Sequence, residues 1–267
     1  MLGINSTSLP AHFEELVACP GDIVGLQEAR ICPVKQQLWE GRLKEKGWDV
    51  VWGKGVPTKR GRPVPGGVCI LARRHIRLQA VPMDRDEGPG LFESGRVVHA
   101  AAALGDGTSI LHVFSFYGHP NAGHDPQART KNEALLQQLL SYIARLGNVP
   151  VLILGDFNVE IERSAILTSS EQAGKLWDVL PTLGADEPTC FAHDTSQGTR
   201  IDMILASPSV MACCRGACVM RECGYPTHRP VVVNLNVDTH NQVGDKFKVP
   251  EEIPPHAPNY CPATHRG

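Results

Sequence analysis

Asp156 and Asn158 are the residues whose types and spacing most clearly suit phosphate or metal chemistry. They follow the apolar run 151–154 and the chain-breaking Gly155, with one residue between them. On extended backbone, residues i and i+2 point to the same side, so this carboxylate and amide would project together. Such a pair suits a divalent cation, an attacking water or a phosphate oxygen. The alternative is a strand-end turn, where Gly, Asp and Asn are favoured for backbone reasons alone.

Further polar residues stand at the ends or edges of other apolar runs. Each has an ordinary alternative explanation: Asp202 could pair with Arg200, and His228 could be a loop histidine. Together they supply acids, amides, a phenol and an imidazole at strand ends, where α/β sheets place ligands. The set comprises Asn5, Glu28, Tyr117, Asn121, Asp202 and His228.

The elements that would position these residues are predicted from apolar periodicity. Short apolar runs predict strands, and residues 127–146 carry the clearest helical stripe. Shorter helices are predicted over residues 160–174 and 176–183. We expect one domain over residues 1–237, and we predict a disordered tail over residues 238–267, where the composition shifts to Pro, His and polar residues.

The composition of the 267-residue chain is that of a globular protein, with 42% hydrophobic and 20% charged residues. A formal net charge of −2 argues against a strongly basic nucleic-acid-binding domain. No apolar run is long enough to cross a membrane. Nine scattered cysteines argue against a complete disulfide framework and favour a reducing compartment. The cluster at residues 213–223 lacks paired CxxC spacing, so zinc is disfavoured there.

A series of short motifs occurs in order from Asn5 to about Val237, and in that order it resembles the endonuclease/exonuclease/phosphatase superfamily. This is the group of deoxyribonuclease I, exonuclease III and the apurinic endonucleases. The motifs are Leu26-Gln27-Glu28, Gly66-Gly67-Val68, Tyr117 with Asn121, Gly155-Asp156-Phe157-Asn158, Arg200-Ile201-Asp202 and His228-Arg229-Pro230.

The resemblance implies an α/β (α+β) fold, a four-layer sandwich in which two mixed β-sheets pack face to face with helices outside. It implies hydrolysis of phosphate esters with Mg²⁺ or Mn²⁺. By position in the motifs, Glu28 would be the principal metal carboxylate, with Asn5 beside it. Asp156 and Asn158 would orient or deprotonate the attacking water.

The resemblance also implies the residues that handle the phosphate. His228 would bind the scissile phosphate or transfer a proton, with Asp202 as its carboxylate partner. Tyr117 and Asn121 would line the phosphate and leaving-group side. Outside the motifs, the basic loop 54–62 and the pair Arg73 and Arg74 are further candidates for substrate contact.

The chain departs from the family pattern at two threonines. Thr227 stands where the family usually has an Asp before the terminal histidine, and Thr7 stands where many relatives carry another acid. We therefore expect weaker cation binding, with greater reliance on Glu28.

The activity expected from the resemblance is that of a DNA endonuclease of retroelement or apurinic-endonuclease type, which contacts the DNA phosphate backbone. We expect a monomer that binds no membrane and has an intracellular location, with the nucleus as one candidate. One alternative is a phosphatase of inositol phosphates or lipids. Another is a catalytically weakened domain retained for nucleic-acid binding.

Overall fold

The computed structural model of the chain describes residues 1–59, 62–63, 65–83, 90–105, 107, 109–191 and 197–237, with only the backbone at 62–63. The predicted tail 238–267 lies outside the described residues. The strands are β1 (Leu2–Asn5), β2 (Ile23–Gln27), β3 (Trp48–Trp52), β4 (Thr58–Lys59), β5 (Arg62–Pro63), β6 (Val68–Arg73), β7 (Arg77–Ala80), β8 (Val97–Leu104), β9 (Ser109–Tyr117), β10 (Val151–Asp156), β11 (Trp177–Asp178), β12 (Asp202–Ala206), β13 (Cys214–Val219) and β14 (Val231–Leu235). The helices are α1 (Phe13–Ala18), α2 (Pro33–Glu45), α3 (Pro126–Arg145), α4 (Ala165–Gln172), α5 (Val179–Thr182) and α6 (Pro208–Met211).

Two mixed six-stranded sheets contain nearly all of these strands. The first has the order β13-β14-β1-β2-β6-β3, and the second has the order β11-β12-β10-β9-β8-β7. Each contains one parallel pair, β1 with β2 in the first and β9 with β10 in the second. The carboxyl ends of the strands in each parallel pair therefore share one edge of their sheet.

Three hydrophobic clusters separate the layers, as expected for a four-layer sandwich. The central cluster lies between the sheets and joins residues such as Ile70 with Val113 and Leu154. A second cluster packs α3 and α4 on the outer face of the second sheet. The third packs α1 and α2 on the outer face of the first sheet. The α/β sandwich predicted above is confirmed.

The alternation along β10 explains how the strand directs its last residue. Leu152 and Leu154 belong to the cluster between the sheets, whereas Val151 and Ile153 belong to the cluster beneath α3. Side chains alternate between the two faces of a strand, so Asp156 shares the face of Leu154. Its carboxylate is therefore directed toward the first sheet.

Two predicted helices are shorter than the sequence pattern indicated. Within 176–183, Trp177–Asp178 pairs with β12 as an edge strand, and only Val179–Thr182 is helical. Within 160–174, a short 3-10 turn over Ile161–Arg163 precedes α4. Ser164 separates the two because its side chain accepts a hydrogen bond from Leu167 N and caps α4.

Candidate active site

Three of the predicted site residues form a row across the second sheet. Asp156 on β10 is paired in register with Tyr117 on β9 and with Asp202 on β12. Residues in register on adjacent strands share a face of the sheet. All three side chains are buried at the edge where β9 and β10 end, and they face the first sheet.

The first sheet supplies the partners of this row. Asn5, at the end of β1, donates from Nδ2 to Asp156 Oδ2 at 2.8 Å. Glu28, directly after β2, accepts from the Tyr117 hydroxyl at 2.7 Å through Oε1. Its other oxygen accepts from Arg30 Nη2 at 2.6 Å. The strand ends of both sheets thus meet at one site.

His228 reaches the same site from the segment before β14. Its Nδ1 lies 3.0 Å from Asp202 Oδ2, and its Nε2 lies 3.4 Å from Asn5 Nδ2. Asp202 is itself oriented by Thr189, whose hydroxyl accepts from the Asp202 backbone N–H at 3.0 Å. The predicted pairing of Asp202 with the imidazole is therefore present in the structure.

Asn158 does not follow the extended geometry assumed from its spacing. β10 ends at Asp156, and Asn158 has a φ of +54°. Its backbone N–H donates to Asp156 Oδ1 at 2.9 Å, and its Nδ2 donates to the Gly118 carbonyl at 3.3 Å. The turn therefore closes on Asp156 and confirms the turn interpretation, while the role of both residues in a site stays a prediction.

Left-handed backbone at residues other than glycine is concentrated beside the site. Such conformations cost free energy and cluster where surrounding structure imposes them. Glu28 has a φ of +52°, directly after the strand that ends in Gln27. Asn121, in the turn that follows β9, is exposed. The described residues of this kind are Thr7, Glu28, Arg30, Asn121 and Asn158.

Sequence reasoning missed a polar connection between the sheets immediately beneath the site. Gln27, which the sequence offered only as a member of the Leu26-Gln27-Glu28 motif, is fully buried. Its Nε2 donates to Ser115 Oγ at 2.9 Å and to the Leu154 carbonyl at 3.0 Å. Ser115 donates in turn to the Leu26 carbonyl at 3.1 Å. A Gln and a Ser at inward positions of core strands were the available signal, because buried polar side chains require partners.

Two further residues that the sequence did not single out hold the loops after β9 and β10. Arg96 Nη1 donates to the Gly118 carbonyl at 2.7 Å, and its guanidinium lies over the Tyr117 ring at 4.9 Å. Buried Asn132 on α3 donates to the Phe157 carbonyl at 3.0 Å and accepts from His119 N at 2.9 Å. A polar residue, Asn132, within the apolar stripe of α3 was the sequence signal for these hydrogen bonds.

Arg73 and Arg74, predicted to contact substrate, lie away from this group of residues. β6 runs antiparallel to β2, so Arg73 lies beyond the start of β2 while the site lies beyond its end. Arg73 donates to the Cys19 carbonyl and stacks on Trp48, and Arg74 donates to the Lys44 carbonyl. Their placement is a correction to the sequence prediction. In the basic loop 54–62, residues 60 and 61 and the side chain of 62 lie outside the described residues.

The electrostatics of the site give Asp156 and His228 different protonation behaviour. Burial, followed by the charge of Asp202, raises the pKa of Asp156 to about 7, against the opposing effect of His228. Burial lowers the pKa of His228, but the Asp202 carboxylate outweighs it and raises that pKa to about 12. At neutral pH the imidazole is therefore cationic, while the Asp156 carboxylate can exchange a proton.

Burial, with the nearby charge of Glu28, raises the pKa of Tyr117 well above its ordinary value. Tyr117 therefore acts here as a neutral hydrogen-bond donor. Because Tyr117 is in register with Asp156 and donates to Glu28, it holds Glu28 at the same edge of the sandwich as Asp156.

The oxygen and nitrogen donors gathered at this site suit a divalent cation, but they include fewer carboxylates than the family pattern has. The carboxylate oxygens of Asp156 and Asp202 and a ring nitrogen of His228 lie within 4.8 Å of one another. Glu28 adds a carboxylate that lies at the same edge and accepts from cationic Arg30. Because a cation would compete with that guanidinium, and because Thr7 and Thr227 add no carboxylate, cation binding depends on few oxygen donors.

A family model matches most of the chain. The model of the Endonuclease/Exonuclease/phosphatase family matches residues 6–221. The chain belongs to this family. Members of the Endonuclease/Exonuclease/phosphatase family are typically metal-dependent hydrolases. No curated protein matches the chain in sequence.

Solved structures show the same fold at low sequence identity. A 3′ phosphatase from Neisseria, bound to a product DNA hairpin, is 22% identical over 88% of this chain and 98% of its own, with a TM-score of 0.66. An AP endonuclease from Archaeoglobus fulgidus is 16% identical over the same shares, with a TM-score of 0.69. A mannosyl-6-phosphatase from Bacteroides thetaiotaomicron is 21% identical over 85% of this chain and 90% of its own, with a TM-score of 0.58. Within the described part of this family member, no helix is long and apolar enough to cross a membrane.

Proposed function

We propose that the chain is a phosphodiester hydrolase that requires Mg²⁺ or Mn²⁺ and cleaves DNA as an endonuclease. The observation that carries this proposal is the group in which carboxylate oxygens of Asp156 and Asp202 and a ring nitrogen of His228 lie within 4.8 Å of one another. It places a carboxylate able to accept a proton next to a cationic imidazole. An anionic ester requires that combination, because its charge must be neutralised while a water is activated.

In the proposed reaction, Asp156 takes a proton from water, and the water oxygen attacks phosphorus as the bond to the leaving oxygen breaks. His228 donates from Nε2 to a non-bridging phosphate oxygen, and Asp202 fixes the ring orientation through Nδ1. Asn5 keeps Asp156 oriented throughout. A divalent cation bound at Glu28 would supply neutralising charge to the phosphate and the departing oxygen.

The proposal of DNA as substrate is supported by the DNA hairpin bound to the Neisseria relative. Within DNA-cleaving enzymes, we propose an apurinic-endonuclease or retroelement type, as the motif forms suggest. We further propose that the enzyme contacts the phosphate backbone of DNA, acts as a monomer inside the cell and binds no membrane. The nucleus is one candidate compartment. Residues 1–237 would form the catalytic domain, and 238–267 would form a disordered tail.

A second candidate function is a phosphatase acting on inositol phosphates or phosphoinositide lipids. It is favoured by the structural similarity to the Bacteroides mannosyl-6-phosphatase. A third candidate is a weakened domain that binds nucleic acid without cleaving it. Thr7 and Thr227 favour this third candidate, because each replaces an acid expected near the cation.

A substrate panel separates these candidates. Supercoiled plasmid, abasic duplex, inositol phosphate and a phosphoinositide are each incubated with the full chain, in Mg²⁺, in Mn²⁺ and in a chelator. The proposal predicts metal-dependent cleavage of plasmid or abasic duplex. Turnover of inositol phosphate or phosphoinositide alone would establish the phosphatase. DNA binding without any turnover would establish the weakened domain.

A further inference from the structure

A cavity lies between α3 and α4 on the outer face of the second sheet, away from the candidate active site. Its volume is about 710 Å³, which is within the range of about 300–1,000 Å³ found for small-molecule pockets. Val151 and Ser207 line it, where β10 begins and just after β12 ends. Asp156 stands at the other end of β10, about 16 Å along the strand. A ligand in this cavity therefore leaves the candidate active site free.

The cavity presents apolar surface that the fold leaves uncovered. Leu140 and Ile143 of α3 and Ile166 of α4 line it, and all three are only partly buried against the cluster beneath α3. The buried side chains of Val151 and Leu176 also line it. Concave apolar surface of this kind favours a ligand with an apolar body, because binding removes both surfaces from water.

Ser170 adds a polar group inside the cavity that has no partner in the described part of the protein. It belongs to α4, lines the cavity and is only 9% exposed. Its hydroxyl forms no hydrogen bond with a described residue. Ser207, on the opposite side, instead accepts from Val151 N at 3.0 Å. Because buried polar groups are normally hydrogen-bonded, the Ser170 hydroxyl is placed to bond a polar atom of a ligand.

The charge around the cavity favours an anion. Lys175 is the one charged residue among the described residues that line it, and it has no ion pair or side-chain hydrogen bond with a described residue. Both α3 and α4 end at the cavity, and free carbonyls at helix ends would favour a cation. The lining residues in these last turns already accept backbone hydrogen bonds; they are Ile143, Ala144, Ser169 and Ser170. The uncompensated charge is therefore positive.

We propose that this cavity binds an aliphatic monocarboxylate of medium chain length. Its alkyl chain lies on the apolar surface of α3 and α4, and its carboxylate contacts Lys175 and the Ser170 hydroxyl. These two residues are neighbours, because the Ser170 carbonyl accepts from Lys175 N at 3.0 Å. One unpaired ammonium matches one negative charge, which favours a carboxylate over a doubly charged phosphate monoester. This binding is independent of the proposed hydrolysis, so either can fail without the other.

The binding is tested by isothermal titration calorimetry of the full chain with decanoate, below the concentration at which decanoate forms micelles. Decylammonium, which has the same chain length and the opposite charge, is the comparison ligand. We expect saturable binding of decanoate at a single site, with decylammonium weaker by about fivefold or more. Absence of saturable decanoate binding, or equal binding of the two ligands, would overturn the proposal.

Two alanines on α3 give a matched pair of variants that locates the binding. Ala144 lines the cavity and Ala134 does not, and both are exposed, so both tryptophan variants should fold. Ala144→Trp should weaken decanoate binding by about tenfold or more, because the indole occupies the space of the ligand. Ala134→Trp should leave the affinity unchanged. Equal affinities of the two variants would place the ligand elsewhere and overturn the proposal.

Two polar variants test how the carboxylate is held. Lys175→Gln should weaken decanoate binding by about twofold to fivefold and reduce the preference over decylammonium. Lys131→Gln, an exposed lysine of α3 outside the cavity, is its control and should change neither. Ser170→Ala should weaken decanoate binding by about threefold or more. Wild-type affinity for decanoate in both Lys175→Gln and Ser170→Ala would contradict the proposed position of the carboxylate.

Discussion

Gln27→Leu tests whether the buried polar connection between the sheets stabilises the site edge. The substitution conserves approximate size but removes the bonds from Nε2 to the Gly25 carbonyl, Ser115 Oγ and the Leu154 carbonyl, at 3.1, 2.9 and 3.0 Å. The amide has two N–H groups, which these three acceptors share. A buried hydrogen bond contributes about 1 kcal/mol net, so the group contributes about 2 kcal/mol. Burying the leucine side chain offsets about 1 kcal/mol of that loss. The free energy of unfolding should therefore fall by about 1 kcal/mol.

Urea unfolding followed by tryptophan fluorescence measures this loss, since Trp48 is fully buried. The midpoint should fall while the slope m stays unchanged, because the folded state stays compact. Gln137→Leu is the matched control, since its amide makes an exposed bond to Ser141, and it should change stability by less than about 0.5 kcal/mol. Equal stability of the two variants would refute the reasoning.

Three further predictions concern acid stability, the metal site and close backbone packing. Burial, followed by the charge of His112, lowers the pKa of His99 to about 3, below its unfolded value of about 6.5. The unfolded chain thus binds more protons between these values, and about 2 kcal/mol of stability should be lost from pH 7 to about pH 5. In His99→Gln that loss should largely disappear from urea curves at the two pH values, and an unchanged loss would contradict the assignment. Thr227→Asp should lower the Mg²⁺ concentration for half-maximal activity severalfold, whereas Thr227→Asn should leave it unchanged. If the wild-type chain is already highly active and Thr227→Asp does not change this concentration, a carboxylate at position 227 is dispensable. Gly118→Ala should destabilise by about 1–3 kcal/mol, because its Cβ would lie 2.2 Å from the Phe157 carbonyl oxygen. Gly41→Ala, in open space on α2, should instead stabilise slightly in thermal unfolding, and the opposite order would contradict the packing argument.

The strand ends could be predicted from sequence because apolar runs and single polar residues are local signals. The run before Asp156 and the stripe on α3 gave β10 and the longest helix nearly to their observed bounds. The motifs then connected Asp156 with Asp202 and His228, which the structure brings into contact. The family resemblance predicted that these residues, which lie far apart in sequence, come together, whereas periodicity predicts only local structure.

The remaining features depend on register and strand direction, which local patterns do not specify. The prediction that Arg73 contacts substrate was wrong because β6 pairs antiparallel with β2, which puts the last residue of β6 at the edge opposite the site. The burial of Gln27 and its contacts with the second sheet were not predicted, because a buried amide has no distinctive spacing. The left-handed turn at Asn158 replaced an extended segment because its backbone N–H caps Asp156.

The central claim is that Asp156 activates water in a metal-dependent hydrolysis. The most direct test is the initial rate of DNA cleavage in Mg²⁺ by Asp156→Asn, beside Asp49→Asn at the opposite end of the first sheet. Asn5 and Asn158 donate to different oxygens of Asp156, and asparagine keeps one acceptor oxygen, so the charge, the proton acceptor and one of the two hydrogen bonds are lost. We predict that Asp156→Asn lowers the rate by about 10²–10⁴-fold, with Asp49→Asn and the folding of both proteins unchanged. Wild-type rates in Asp156→Asn would contradict the account.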